Sequence, residues 1–181
     1  MLKSTCKQLG AIIAVSLAAL AARAETTGGV QLWEGGPYWT ECNIGATTTE
    51  GYGDIFRFDA ASNAVQEALG APWRGPTDAE LLALKDNCDS VWTNLNGVDG
   101  RLFMSKSNDK SIFLPAAGCL HGDRRDDIGV RGCYWSCVAV DYDTNYVYYL
   151  SVPSGTITRN YTGRESAGAS IRAVRDMEKA V

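Results

Sequence analysis

The sequence predicts an α+β domain: two short helices, then a small antiparallel sheet, with long ordered loops between them and disulfides holding the whole. Three observations lead there. Helical signals are confined to residues 62–88. Beyond residue 100, runs of β-branched and aromatic residues alternate with Gly, Asn and Asp clusters. Six cysteines also occur in a 181-residue chain whose first residues read as an export signal.

Lys3 and Lys7 precede an apolar run over residues 9–22, which closes on Ala22-Arg23-Ala24. This is the three-part pattern of a cleaved secretory signal, and the run of about 14 residues is too short for a membrane span. Cleavage is expected after Ala24. Residues 1–24 are then the signal peptide, 25–37 a lead, 38–176 the domain and 177–181 a frayed tail. The cut removes three basic residues and no acid. It leaves 14 Lys and Arg against 21 Asp and Glu, a net charge near −7. That balance argues against nucleic acid as a partner, and no later apolar run is long enough to give the mature chain a transmembrane segment. The expectation is an exported protein, whether secreted, periplasmic or at the cell surface.

In an oxidising compartment the five cysteines after the signal default to disulfides. Zinc is disfavoured because His121 is the only histidine. A thioredoxin-like site is disfavoured because Cys133 and Cys137 have C-x3-C spacing within residues that read as strand. On a regular strand these two share a face but stand roughly 13 Å apart, too far to bond each other. One of them therefore pairs with Cys119 across a hairpin. The preceding glycines, Gly118 and Gly132, favour Cys119–Cys133. Cys42–Cys88 is then the second expected pair, with Cys137 left as a buried thiol.

The first helix is expected over residues 62–69, with Ser62 as N-cap and Gly70 as its stop. The second begins at Thr77, where Thr77 and Glu80 form a capping box; Leu81, Leu84 and Cys88 make its apolar stripe. Strands are expected over residues 111–116, 133–140, 145–152, 156–161 and 170–175, the last three as an antiparallel meander. Pro115 implies an edge, a bulge or a break. Residues 42–54 read as packed irregular loop.

An ordered series of motifs runs through the chain: WTECNIGA at 39–46, YGDIF at 52–56, WRGPTDAE at 73–80, Asn87-Cys88 with Trp92, GVDG at 97–100, SIFLPAAG at 111–118, GCYWS at 132–136 and SIRAV at 170–174. The series resembles the Fibrobacter succinogenes major paralogous domain, a family of exported bacterial proteins, over residues 38–176. The resemblance implies a C-type-lectin-like fold, related to the formylglycine-generating-enzyme group and to diversity-generating variable proteins. It implies no characterised activity. Cys119 and Cys133 stand where the family usually has tyrosines, and their joint appearance supports a bridge between them. Ala173 replaces a usual proline or cysteine, so a more regular final strand is expected.

No convincing nucleophile–base pair or paired acids are legible. His121 lies in the polar loop HGDRRDD and reads as a surface histidine. Asp141, Asp143 and Asn145 imitate the start of a calcium loop, but Tyr146 and Val152 stand where its glycine and glutamate belong, which excludes an EF-hand and leaves only a single calcium held by loop oxygens as a candidate cofactor. The best binding candidates lie between Asp141 and Tyr161, where tyrosines crowd with Asn and Arg. Strict alternation sends Tyr146 and Tyr148 to the core. Tyr142, Tyr149, Arg159 and Tyr161 remain as the exposed ligand-binding candidates. Trp73, Trp92 and Trp135 read as core. The function expected is a non-catalytic binding module for a glycan or protein ligand. The alternative is an enzyme or enzyme-accessory domain on a formylglycine-generating-enzyme-like fold.

Overall fold

The computed structural model describes residues 28–140 and 143–177. The expected signal peptide and cleavage site, Asp141, Tyr142 and residues 178–181 lie outside them. Among the described residues, two helices and four small antiparallel sheets make up an α+β fold. Among the described residues no helix is long and apolar enough to cross a membrane.

The strands are β1 (Val30–Gln31), β2 (Tyr38–Trp39), β3 (Phe56–Arg57), β4 (Cys88–Leu95), β5 (Val98–Ser105), β6 (Ser111–Pro115), β7 (Cys119–His121), β8 (Arg124–Asp126), β9 (Arg131–Val140), β10 (Asp143–Pro153), β11 (Thr158–Gly163), β12 (Ala167–Ala169) and β13 (Val174–Arg175). The sheet orders are β1-β2-β13, β3-β12-β7-β8, β4-β5-β6 and β11-β10-β9. β2 pairs with β13, so the two ends of the domain close on each other.

Helix α1 spans Phe58–Leu69 and therefore begins four residues before the expected Ser62 cap. Phe58, Ala61 and Val65 recur at helical spacing. Ala61 and Val65 are buried, and Phe58 stands edge-on to Trp135, 5.8 Å between ring centroids. Packing against that tryptophan draws in a first turn that no side chain caps. Gly70 ends the helix at φ 69°, where its N–H donates to Gln66 O. Helix α2 spans Asp78–Asn87 with the reciprocal capping box in place: Glu80 N–H donates to Thr77 Oγ1, and Thr77 N–H donates to Glu80 Oε2. Leu81 and Leu84 are its buried face, whereas Cys88 already opens β4.

The β4–β5 hairpin was not among the expected strands. Its two-residue turn is Asn96-Gly97, with φ 51° and 88°, the positive values a tight hairpin demands. The final meander also differs. β9, β10 and β11 form it, while residues 170–173 leave the strand conformation between β12 and β13, which join separate sheets. Pro115 does end a strand at a sheet margin.

The core has two parts, with the β9–β10–β11 sheet between them. Tyr134, Leu150 and Val152 pack on one side with Leu81, Leu84 and Phe103. Cys133, Trp135 and Val147 pack on the other with Ala61, Val65 and Ile171. The two-residue period of β9 thus feeds both cores.

Cys119 and Cys133 form a disulfide, Cα atoms 5.4 Å apart. The bond does not span a simple hairpin, because Cys119 opens the small β7–β8 hairpin and Gly118 meets Gly132 in a parallel bridge. Cys42 and Cys88 are unbonded, contrary to the expected pairing. They belong to different packing units: Cys88 lies with Leu81, Leu84 and Phe103, and Cys42 beside Leu69 and Trp73. Cys137 is free, with its Sγ tucked where a Cβ on Gly75 would otherwise sit.

Arg172 is fully buried, and its five N–H groups all find oxygen. Nε and Nη2 donate to Asn43 Oδ1 at 3.1 and 2.8 Å, Nη1 to the carbonyls of Thr40 and Glu41 at 3.1 and 2.6 Å, and Nη2 to Phe113 O at 2.8 Å. Asn43 Nδ2 donates in turn to Tyr52 O and to the Tyr134 hydroxyl, which itself donates to Pro115 O. Burial pushes the Tyr134 phenol up to about 12 and lowers Arg172 from its usual value.

Arg172→Met leaves Asn43 and three buried carbonyls without their donors. A loss of roughly 4 kcal/mol or more in unfolding free energy is expected by urea denaturation, at about 1–3 kcal/mol per orphaned group. A loss under about 1 kcal/mol would show that this network is incidental. Glu80 supplies a second test. Burial pushes its carboxyl up, but Arg74 at 2.7 Å and the Thr77 N–H outweigh that and hold it below 4.5. The ionised form therefore stabilises the fold above that pH, and the gain is lost as pH falls through the lowered value. The stability difference between wild type and Glu80→Gln is expected to stay constant from about pH 6 to 8 and to shrink below about pH 4.5. A difference that grows with acidification would contradict this sign.

Candidate ligand-binding site

The β10–β11 hairpin is set by a second enclosed arginine. Arg101, on β5, donates to the carbonyls of Pro153, Ser154 and Gly155 and to Ser90 Oγ, gripping the turn between the two strands. From that turn the register runs Ser151↔Thr158 to Tyr146↔Gly163. Near the turn both faces of β10 are covered: Leu150 and Val152 are buried on one side, and Ser151 is buried with Tyr149 half-buried on the other. Far from the turn the support ends. Tyr146 is 40% exposed and Tyr161 58%. Their rings meet edge to face, centroids 5.7 Å apart and planes at 80°.

An open polar cleft of about 620 Å³ borders this pair. Asp143, Asn145 and Tyr146 form one wall, and Glu165 and Ser166 in the β11–β12 turn form the other. Asp59 of α1 closes one end, engaged by Arg164 at 2.5 Å. Arg164 also lies over the Phe58 ring and donates to Thr144 O, which pins the turn to the helix and to β10. The cleft thus offers a flat aromatic wall beside carboxylate, amide and hydroxyl groups.

The expected site residues distribute unevenly. Tyr161 does not line the cleft but stands edge-on to Tyr146, which does. Tyr149 is a packing residue, edge-on to Trp135 at 6.2 Å within the second core. Arg159 lies over the Tyr148 ring at 3.7 Å and pairs with Asp78 at 2.9 Å, so it fastens β11 to the start of α2. Asp143 accepts the Asn145 N–H through Oδ1. Among the described residues, no three acidic, histidine or cysteine side chains gather as metal ligands. His121, the last residue of β7, has its Nδ1 3.6 Å from Asp126 Oδ2. Trp73 and Trp135 are core as expected, but Trp92 is only partly buried and joins neither core.

Tyr146, Glu165 and Ser166 were not read from the sequence. The pairing of β9 with β10 shifts register between Asp143 and Val147 and again before Tyr149. Val147 takes the buried place and Tyr146 turns outward. The Asp-Thr-Asn run at 143–145, which forms a local side chain–backbone turn, is the signal that could have marked this irregularity.

The thiols are poor nucleophiles where they stand. Burial pushes Cys88 and Cys137 up to about 11 and raises Cys42 as well. The chain matches no family profile, no curated protein and no solved structure.

Tyr149→Ala is expected to destabilise the protein by about 3 kcal/mol, because it opens a cavity against Trp135. Tyr161→Ala should change stability by less than about 1 kcal/mol. Thermal unfolding of the two variants separates them, and equal losses would mean that Tyr161 is also structural.

Proposed function

We propose that this chain is an exported, non-catalytic binding module and that its ligand is a glycan. The observation that carries the reading is the exposed Tyr146–Tyr161 pair on the rim of the polar cleft. An aromatic ring offers a sugar's C–H face an apolar surface, while carboxylate and amide groups take its hydroxyls. Asp143, Asn145, Glu165 and Ser166 supply such groups in the cleft that Tyr146 also lines. Protonated thiols and a lone exposed histidine favour binding over acyl-transfer chemistry. The α+β architecture and the Cys119–Cys133 bond are compatible with the C-type-lectin-like topology of the major paralogous family, which we propose for residues 38–176 on the order of the sequence motifs.

A glycan-array screen of the purified protein, followed by calorimetry on the best ligand, tests the reading. Tyr146→Ala and Tyr161→Ala should each weaken binding about fivefold, in line with ~1 kcal/mol per stacking contact, with the melting temperature held within a few degrees. A protein that retains no glycan, or whose affinity is untouched by both substitutions, would not be a glycan-binding module of this kind.

A further inference from the structure

We infer that strand β4 is a self-association edge: two copies of this chain pair β4 against β4, antiparallel about a two-fold axis, joining two three-stranded sheets into one of six strands. This inference is independent of the ligand reading, since the edge lies in another sheet.

The unpaired backbone is the first ground. β4 pairs with β5 alone, in an unbroken register from Cys88↔Ser105 to Leu95↔Val98. Lys106 N–H donates to Asn87 O at 3.0 Å, which extends that register by one hydrogen-bonded pair and sets its phase. Residues 89, 91, 93 and 95 therefore bond to β5, and Ser90, Trp92 and Asn94 direct their N–H and C=O outward. Among the described residues no backbone group bonds to these three from that side.

Comparison with the other margins is the second ground. Exposed edges are ordinarily blunted by shortness, charge, Pro or cover. β1, β3 and β13 have two residues each, β8 has three with two arginines, β6 ends in Pro115, and β11 carries Arg159. The outer edge of β9 is bonded by Gly118, Ser170 and Pro76. β4 has eight residues and no bulge, proline or basic side chain. Trp92 is partly exposed outside both cores, and Val91 and Met104 are 46% and 38% exposed on the other face beside it.

Self-complementarity selects a second copy as the occupant. With the axis at Trp92, Ser90 of one copy lies opposite Asn94 of the other, Val91 opposite Thr93, and Asp89 opposite Leu95. Asp89 is the only charge on the strand, and this register never sets it against itself. A tryptophan at the centre of a symmetric contact is the usual kind of anchor, and each contact occurs twice.

Sedimentation velocity from micromolar to several hundred micromolar should show the monomer converting to dimer. Val91→Lys, at an exposed position, should raise the midpoint about tenfold or more, because the new charge enters the contact twice. Thr158→Lys on β11 should leave it unchanged. Amide exchange at high and low concentration gives the phase: Ser90, Trp92 and Asn94 should gain protection only in the dimer, whereas Val91 and Thr93 should be protected in both. A chain that stays monomeric throughout, or a dimer indifferent to Val91→Lys, or one without the alternating protection, would overturn the inference.

Discussion

The Arg172 guanidinium has five N–H donors, and all of them end on oxygens of segments remote in sequence: Thr40, Glu41 and Asn43 near the start of the domain and Phe113 in β6. None of these acceptors is a carboxylate. The charge is held by carbonyl and amide dipoles in a site without water contact, which is costly unless every donor is met. The irregular loop over residues 40–54 therefore has a fixed course. Its carbonyls are the ligands of the arginine, its Asn43 bridges to Tyr134, and β6 is tied to the same point. Residues 170–173 leave the strand conformation while Arg172 projects into this network, so two of the small sheets meet around one side chain.

β9 distributes that order. Its alternate side chains enter two separate cores, with Tyr134 on the Leu81, Leu84 and Phe103 side and Cys133, Trp135 and Cys137 on the side of α1. The Cys119–Cys133 bond fixes β7 to this strand, and the Trp135 Nε1–H donates to Phe56 O at 2.6 Å, which brings β3 and the start of α1 alongside. A strand buried on both faces explains why GCYWSC is rich in aromatic residues and cysteine, with Ser136 a buried polar side chain whose hydroxyl accepts the Val138 N–H.

The same sheet leaves its packing behind toward the Asp143 end of β10. Arg101 holds the turn side, Arg159 fastens β11 to α2, and Arg164 binds the next turn to α1. Three cations thus brace the frame, and the aromatic pair beyond them is left to solvent. A rigid frame beneath exposed rings would lower the ordering cost of the ligand proposed to dock there.

The sequence by itself determined what depends on neighbours along the chain. The Thr77–Glu80 capping box, the Gly70 stop, the irregular course of residues 42–54 and the shared face of Cys133 and Cys137 all follow from spacing or local backbone chemistry. The Asn96-Gly97 hairpin was also legible, since a two-residue Asn-Gly turn is among the strongest local signals. Its flanks, with Cys88 matching a helical stripe, masked it. Only the tertiary structure decided the rest. Phe58 joins α1 because Trp135 is there to pack against. Cys42 and Cys88 stay apart because Cys88 is drawn into the core beneath α2 while Cys42 stays half-exposed on an open cleft outside both cores. Tyr149 packs partly buried against the second core and Tyr146 is exposed because a register shift between two paired strands reverses the faces that alternation assigns. Each of these outcomes rests on a contact between residues far apart in the chain, and a local pattern cannot encode which distant surface will arrive to meet it.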